Sequence, residues 1–308
     1  MWSYELAAEN LEELAGIRLS HVTVGKIANE TSGDLETKMD NNPAFRAAFQ
    51  EANGHTEFYL DGTFVPIRNA DGTREWKEMK VAAFFKRLLA MSALPPEWGT
   101  RKLPKPTVVY AIASIVCKED FQERCQVERR RLGVGGISSA LGDGAKWIWN
   151  IIREVFGKTE ECLDIYHALE HVAACGKALY GEGESFLSWL DKMRLVLLAE
   201  GFAGMERELQ SLEGELQGKS KKTKSQREAV TALLDYLRNN SGRLNYAERL
   251  AAGQPIGSGL IEGACKNLVG RRMKQTGAAG RLERANRIAL VCSLLYAKQW
   301  DTLWKNAN

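Results

Sequence analysis

Three carboxylates stand out by type and setting: Asp61, Asp143 and Glu262, each in apolar surroundings and each followed directly by glycine. Asp61 sits inside "FYLDGTFVPIRN", a run of strand-forming residues, where aspartate is depleted. A glycine beside a carboxylate would let a metal or a ligand backbone come close. Buried carboxylates are costly without a compensating cation, and three that converge would repel one another. Hard divalent ions such as Mg²⁺ or Mn²⁺ take oxygen ligands of this kind. Two such ions, about 3.5–4 Å apart, would clamp the attacking and leaving oxygens of a phosphoryl transfer. Other roles stay open for two of the acids. Asp143 in "GDGA" fits a helix N-cap, and Glu262 would favour a helix N-terminus through the macrodipole.

A second constellation, His167-Ala-Leu-Glu170-His171, matches the H-x-x-E-H pattern of inverted zinc proteases. His167 and His171 at i and i+4 would ligate zinc, Glu170 would act as base, and Glu248 is spaced to supply a third ligand. A third feature is basic. Residues 261–290 carry Lys266, Arg271, Arg272, Lys274, Arg281, Arg284 and Arg287 against Glu262 and Glu283, a local excess suited to phosphate contacts. "GKSKKTK" (218–224) is a second, weaker basic loop, and "ERRRLG" (128–133) reads as balanced surface. Trp147 and Trp149 read as core.

These residues must be positioned by a mixed architecture. The spacing in "SYELAAENLEELAG" puts Leu6, Leu11 and Leu14 near one helix face, and Ser20 caps a second helix that stops at Ser32-Gly33. Together they suggest a helix-turn-helix or a plain helical hairpin. From Phe58 the period changes to that of strands: "EFYLDGTFVPIRN", "EWKEMKVAAFFKRL" and "PTVVYAIASIV", the first two joined by a turn at Asp71-Gly72. "KEDFQERCQVERRRLG" is a charged helix. "ISSALGDGAKWIWNIIREVFG" and "ECLDIYHALEHVAACGKALYG" each read as a strand running into a helix. From Glu184 to about Ala251 the pattern is helical, with "GKSKKTKSQ" as a hairpin tip, and a glycine-rich loop then leads to the last helices.

"YLDGTFVPI", "LGDGAKWIWNII", "LDIYHALEHV" and "PIGSGLIEGACKNLVGRRMKQTG", in this order, resemble bacterial insertion-sequence transposases of the DDE class, the ISKra type most closely and Mutator-like transposases more loosely. The resemblance implies an RNase H-like mixed α/β sheet with flanking helices and an all-α insertion before the catalytic glutamate. It implies four parts: an N-terminal helical segment (1–50), the first part of the catalytic core (51–180), the helical insertion (181–252) and the rest of the core (253–308). The family's acids fall on Asp61, Asp143 and Glu262 as catalytic metal ligands for two Mg²⁺ or Mn²⁺ ions. DNA would be held by His167, Lys266, Arg271, Arg272 and Lys274. The implied activity is metal-dependent cleavage of element ends and strand transfer to target DNA by a homo-oligomer. Two features depart from the family: less sequence precedes Asp61, and no tryptophan stands near Gly280. A DNA-binding remnant without catalysis is therefore the alternative, and the zinc protease a second.

The bulk numbers constrain these readings. A net charge of +3 over 308 residues leaves any nucleic-acid surface to local clustering. None of the six cysteines forms a C-x-x-C pair, which argues against a zinc ribbon and for reduced thiols. The N-terminus lacks the pattern of a signal peptide, and "IALVCSLLYA" is too short to span a bilayer. The expectation is a cytoplasmic, nucleoid-associated protein with no membrane partner.

Overall fold

The computed structural model describes residues 4–216, 221–274 and 279–304. Its centre is a mixed sheet of five strands in the order β3-β2-β1-β4-β5. β1 (His55–Arg68) and β2 (Arg74–Arg87) form a long antiparallel hairpin, and β3 (Val108–Ser114) pairs antiparallel on the outer side of β2. β4 (Ser139–Gly142) runs parallel to β1, and β5 (Glu161–Leu163) runs parallel to β4. The hairpin turn is set by Asp71, whose Oδ1 accepts bonds from the Thr73 amide (2.9 Å) and hydroxyl (2.6 Å).

Four helices precede the sheet: α1 (Tyr4–Ala15), α2 (His21–Gly33), α3 (Leu35–Asn41) and α4 (Ala44–Glu51). Ser20 caps α2 by accepting from the Thr23 amide at 3.1 Å. The leucine stripe of α1 does not form a buried face, for no α1 residue is buried and Leu14 is 85% exposed. α5 (Lys118–Arg131) follows β3, α6 (Lys146–Phe156) follows β4 and α7 (Ile165–Tyr180) follows β5. A helical stretch comes next: α8 (Glu184–Glu215), kinked at Gly201, then α9 (Lys221–Asn239) and α10 (Tyr246–Ala251). Residues 218–220 of the basic loop lie outside the described residues. α11 (Gly259–Cys265) runs through a π turn (Lys266–Gly270) into α12 (Arg271–Met273), and α13 (Leu282–Tyr296) packs on β3.

The centre of β1 is buried on both sides. Phe58, Tyr59 and Leu60 are all fully buried, as are Val81 to Phe85 on β2, which is why both strands read as apolar runs rather than alternations. Successive side chains still point to opposite faces. On one face Phe58 packs on Phe84 (4.7 Å between ring centres) and on Phe156 of α6 (4.9 Å). The other face carries Glu57, Tyr59 and Asp61 at period two. There Arg87 donates to both Glu57 oxygens (2.6 and 3.1 Å), and the Tyr59 hydroxyl donates to Glu57 at 2.6 Å. Asp61 therefore continues a polar row laid along one side of a central strand.

The charged run 128–133 is more than surface. The Arg129 guanidinium donates to the backbone carbonyls of Val134 (2.9 Å), Gly135 (2.6 Å) and Val155, and so ties the end of α5 to α6.

The Glu57–Arg87 pair is buried to 4% exposure on each side. Replacing Glu57 with Leu strands the Arg87 charge, so Glu57→Leu should lower unfolding free energy by about 3–5 kcal/mol in a urea titration. Breaking the exposed Lys177–Glu182 pair (3.2 Å) should cost less than about 1 kcal/mol.

Candidate metal centre

Strand register brings three acids to one level of the sheet. Tyr59 of β1 pairs with Leu141 of β4, and Asp61 and Asp143 each lie two residues further on. Gly142 of β4 pairs with Leu163 of β5, and Asp143 and Asp164 each come next. Asp61, Asp143 and Asp164 thus fall side by side on three adjacent parallel strands or their ends, with strands about 4.8 Å apart. α11 packs across β1 and β2 and brings Glu262 and Cys265 over the same region.

Asp164, His167 and Glu262 offer ligand atoms that all lie within 4.8 Å of one another, a group that could hold a metal ion. Asp164 caps α7 by accepting from the Tyr166 amide (2.8 Å), and its second oxygen accepts from the buried Ser258 hydroxyl. His167 stands three residues on, over the same helix face. Its Nδ1 lies 3.3 Å from Oε2 of the exposed Glu170. Asp164 is fully buried, His167 half-buried and Glu262 exposed, so the group opens from a buried oxygen to solvent. Burial raises the Asp164 carboxyl above its ordinary range, against the pull of Ser258, the Tyr166 amide and His167.

Asp61 and Asp143 adjoin this group through electrostatics. Burial raises the Asp61 carboxyl. Bonds from the Cys265 thiol (3.3 Å) and the Gly62 amide (2.7 Å) pull it down, the charge of Asp143 pushes it up, and His167 pulls it down. Asp143 accepts from the Ala145 amide at 2.8 Å, a local turn bond like the capping role its sequence allows. The Tyr236 hydroxyl of α9 reaches the Asp143 carbonyl at 3.4 Å, and the Tyr236 ring stacks on His171 with centres 3.7 Å apart. The helical stretch thereby touches both the Asp143 loop and α7.

Two of the flanking glycines, Gly62 and Gly144, have structural causes of their own, whereas a Cβ at Gly263 would meet only the Tyr296 hydroxyl, at 4.0 Å. A Cβ at Gly62 would meet Glu78 Oε1 at 2.5 Å and the Trp147 ring at 3.2 Å. Gly144 adopts φ +98°, and a Cβ there would meet Leu163 at 3.1 Å. Trp149 is core, at 3% exposure, whereas Trp147 is half-buried over Gly62.

The basic run divides. Lys274 donates to Thr63, two residues past Asp61 on β1. Lys266, Arg271 and Arg272 are exposed along the π turn and α12. Arg284 instead lies over the Tyr4 ring (5.2 Å), and Arg287 pairs with Glu283 and donates to the Asn29 carbonyl (3.2 Å), so both face the N-terminal helices. The altered segment near Gly280 falls partly outside the described residues, at 275–278. Among the described residues the metal-ligand group takes His167 from the H-x-x-E-H motif but neither His171 nor Glu248.

Asp164 is not among the acids that the sequence marks out, because no glycine follows it. The available signal was its place: an acid between a short apolar strand and a helix, like Asp143, with a histidine three residues later. No protein-family model matches the chain, and no curated protein is significantly similar to it.

The raised Asp61 carboxyl carries a prediction. The folded state holds that proton to a higher pH than the unfolded chain, so ionisation costs stability as pH rises through the carboxylate range, and the cost persists above it. Metal-free Asp61→Asn should therefore melt above wild type at pH 7. The difference should vanish below about pH 4, where both states are protonated. Mn²⁺ or Mg²⁺ should raise the wild-type melting temperature, with about 2.7 kcal/mol of stabilisation at a hundredfold excess over Kd. Asp164→Asn should abolish most of that gain.

Proposed function

We propose that this protein is a DDE-type transposase of the RNase H-like class, cutting and joining DNA with divalent metal. The observation that carries the reading is the alignment of Asp61, Asp143 and Asp164 across three parallel strands, with Glu262 of α11 brought within 4.8 Å of Asp164 and His167. An antiparallel β1–β2–β3 unit, two strand–helix units and a helical stretch before Glu262 are compatible with that class. The motifs around Asp61, Asp143, His167 and Glu262 support it from the sequence side.

The donor set fits hard divalent cations. Its group of Asp164, His167 and Glu262 holds two carboxylates and one imidazole, whereas Asp61 and Asp143 stand outside that group and beside it; burial holds the carboxyls of Asp164 and of the neighbouring Asp61 above their ordinary range. In this reading Asp61, Asp143 and Glu262 are the ligands, joined by Asp164 and His167. The bound ions supply charge neutralisation at the phosphodiester and a more acidic attacking hydroxyl. The chain's own residues do the positioning. Ser258 and the Tyr166 amide fix the Asp164 carboxylate, and the Cys265 thiol fixes that of Asp61. Glu170 lies beside His167, 3.3 Å from its Nδ1. Lys274, placed beside Asp61 through Thr63, and the exposed Lys266, Arg271 and Arg272 contact DNA phosphates. A homo-oligomer would bring two DNA ends together.

The test is nicking of supercoiled DNA and joining of a 3′-hydroxyl oligonucleotide in Mg²⁺ or Mn²⁺. Asp143→Ala should lower the rate at least about 100-fold, while DNA binding persists. Salt-sensitive binding with no cleavage by the wild type would leave only a DNA-binding protein. Equal cleavage by Asp143→Ala would remove the mechanism.

A further inference from the structure

Beside the acidic centre lies a cavity of about 380 Å³ that the proposed chemistry does not use. One wall is the connection between β2 and β3, with Trp98, Arg101 and Lys105. The other is Tyr166 of α7 with Gly257 and Gly259. Among the described residues, its lining includes Arg87, Arg101 and Lys105 and no acid. Arg87 is matched by Glu57, but among the described residues no carboxylate pairs with Arg101. Arg101 Nη1 donates to the Gln254 carbonyl at 2.9 Å, while its Nε and Nη2 are buried without a hydrogen-bond partner. Burial, and then the charge of Arg87, hold this guanidinium below its ordinary value, the sign of a cation lacking a counter-anion. A guanidinium with two unpaired donors has the chemistry to bind a phosphate.

The same cavity carries an aromatic pair. Trp98 and Tyr166 lie 5.6 Å apart with planes at 50°, Trp98 half-buried and Tyr166 half-exposed. Tyr166 rests against Gly257, where a Cβ would meet its ring at 2.7 Å. Cationic donors beside exposed ring faces are the elements with which proteins hold unpaired nucleotides. Tyr166 also follows Asp164 by two residues, so the cavity directly adjoins the metal-ligand group.

We propose that this cavity is a subsite for an unpaired nucleotide flanking the cleaved bond, Arg101 and Lys105 taking its phosphate and Trp98 with Tyr166 stacking its base. The proposal rests on the nucleic-acid reading above and adds a single-stranded segment to it.

The experiment is fluorescence anisotropy of a short labelled single-stranded oligonucleotide, in chelator, over a salt series. This binding does not depend on cleavage. Trp98→Ala should weaken binding about tenfold without changing the salt slope, and an oligonucleotide with abasic sites should lose that difference. Arg101→Met and the exposed Lys105→Gln should each reduce the slope of log K against log salt by about 0.7. Lys105→Gln keeps the test valid if Arg101→Met fails to fold. If the wild type does not bind the oligonucleotide, or if Trp98→Ala and Lys105→Gln both bind as wild type, the subsite is overturned. If cleavage fails but these effects stand, the subsite survives and the enzymatic reading alone falls. If cleavage succeeds and these variants bind as wild type, the subsite alone falls.

Discussion

The arrangement depends on hydrogen-bonded register between β1, β4 and β5. A parallel ladder fixes which residues stand level, and here it sets Tyr59 beside Leu141 and Gly142 beside Leu163. The acids then follow as a matter of counting. A slip of one residue would turn every side chain of a strand to the opposite face, sending Asp61 among Phe84 and Phe156 and breaking the alignment. That slip is opposed by buried side chains on both faces. Phe58 fits only the aromatic side, and Glu57 and Tyr59 fit only the side on which Arg87 waits. The polar network of Glu57, Tyr59 and Arg87 therefore has a use beyond stability, since it specifies which way β1 faces.

Around that frame, each acid is held by a different local device. Cys265 and the Gly62 amide hold Asp61, the Ala145 amide holds Asp143, and Ser258 with the Tyr166 amide holds Asp164. Glu262 alone stands in solvent on the first turn of a short helix. The centre is thus graded, from the buried Asp164 through the half-buried Asp61 and Asp143 to an exposed carboxylate above. Such grading suits a site where a charged ligand must enter and leave.

Much of the fold was legible in the residues. The five strands and the helices after β3, β4 and β5 follow from apolar runs and turn signals, and Ser20 and Asp71 act as their types suggest. What was not legible depends on contacts between distant segments. Asp164 carried no flanking glycine, and its partners are Ser258, 94 positions away, and Glu262, which lies further still along the chain, together with its helix neighbour His167. The glycines after Asp61 and Asp143 were visible, but their reasons, the Trp147 ring and a positive φ, are tertiary. The basic run looked uniform in one dimension and is not so in three, because α13 turns Arg284 and Arg287 away toward Tyr4 and Asn29. Arg129 read as surface because its carbonyl partners lie on another element.

Tyr236 of α9 touches the Asp143 loop with its hydroxyl and His171 with its ring. Because α9 also packs along α7, one aromatic side chain ties the loop that carries Asp143 to the helix that carries His167, so the two must shift together if either does.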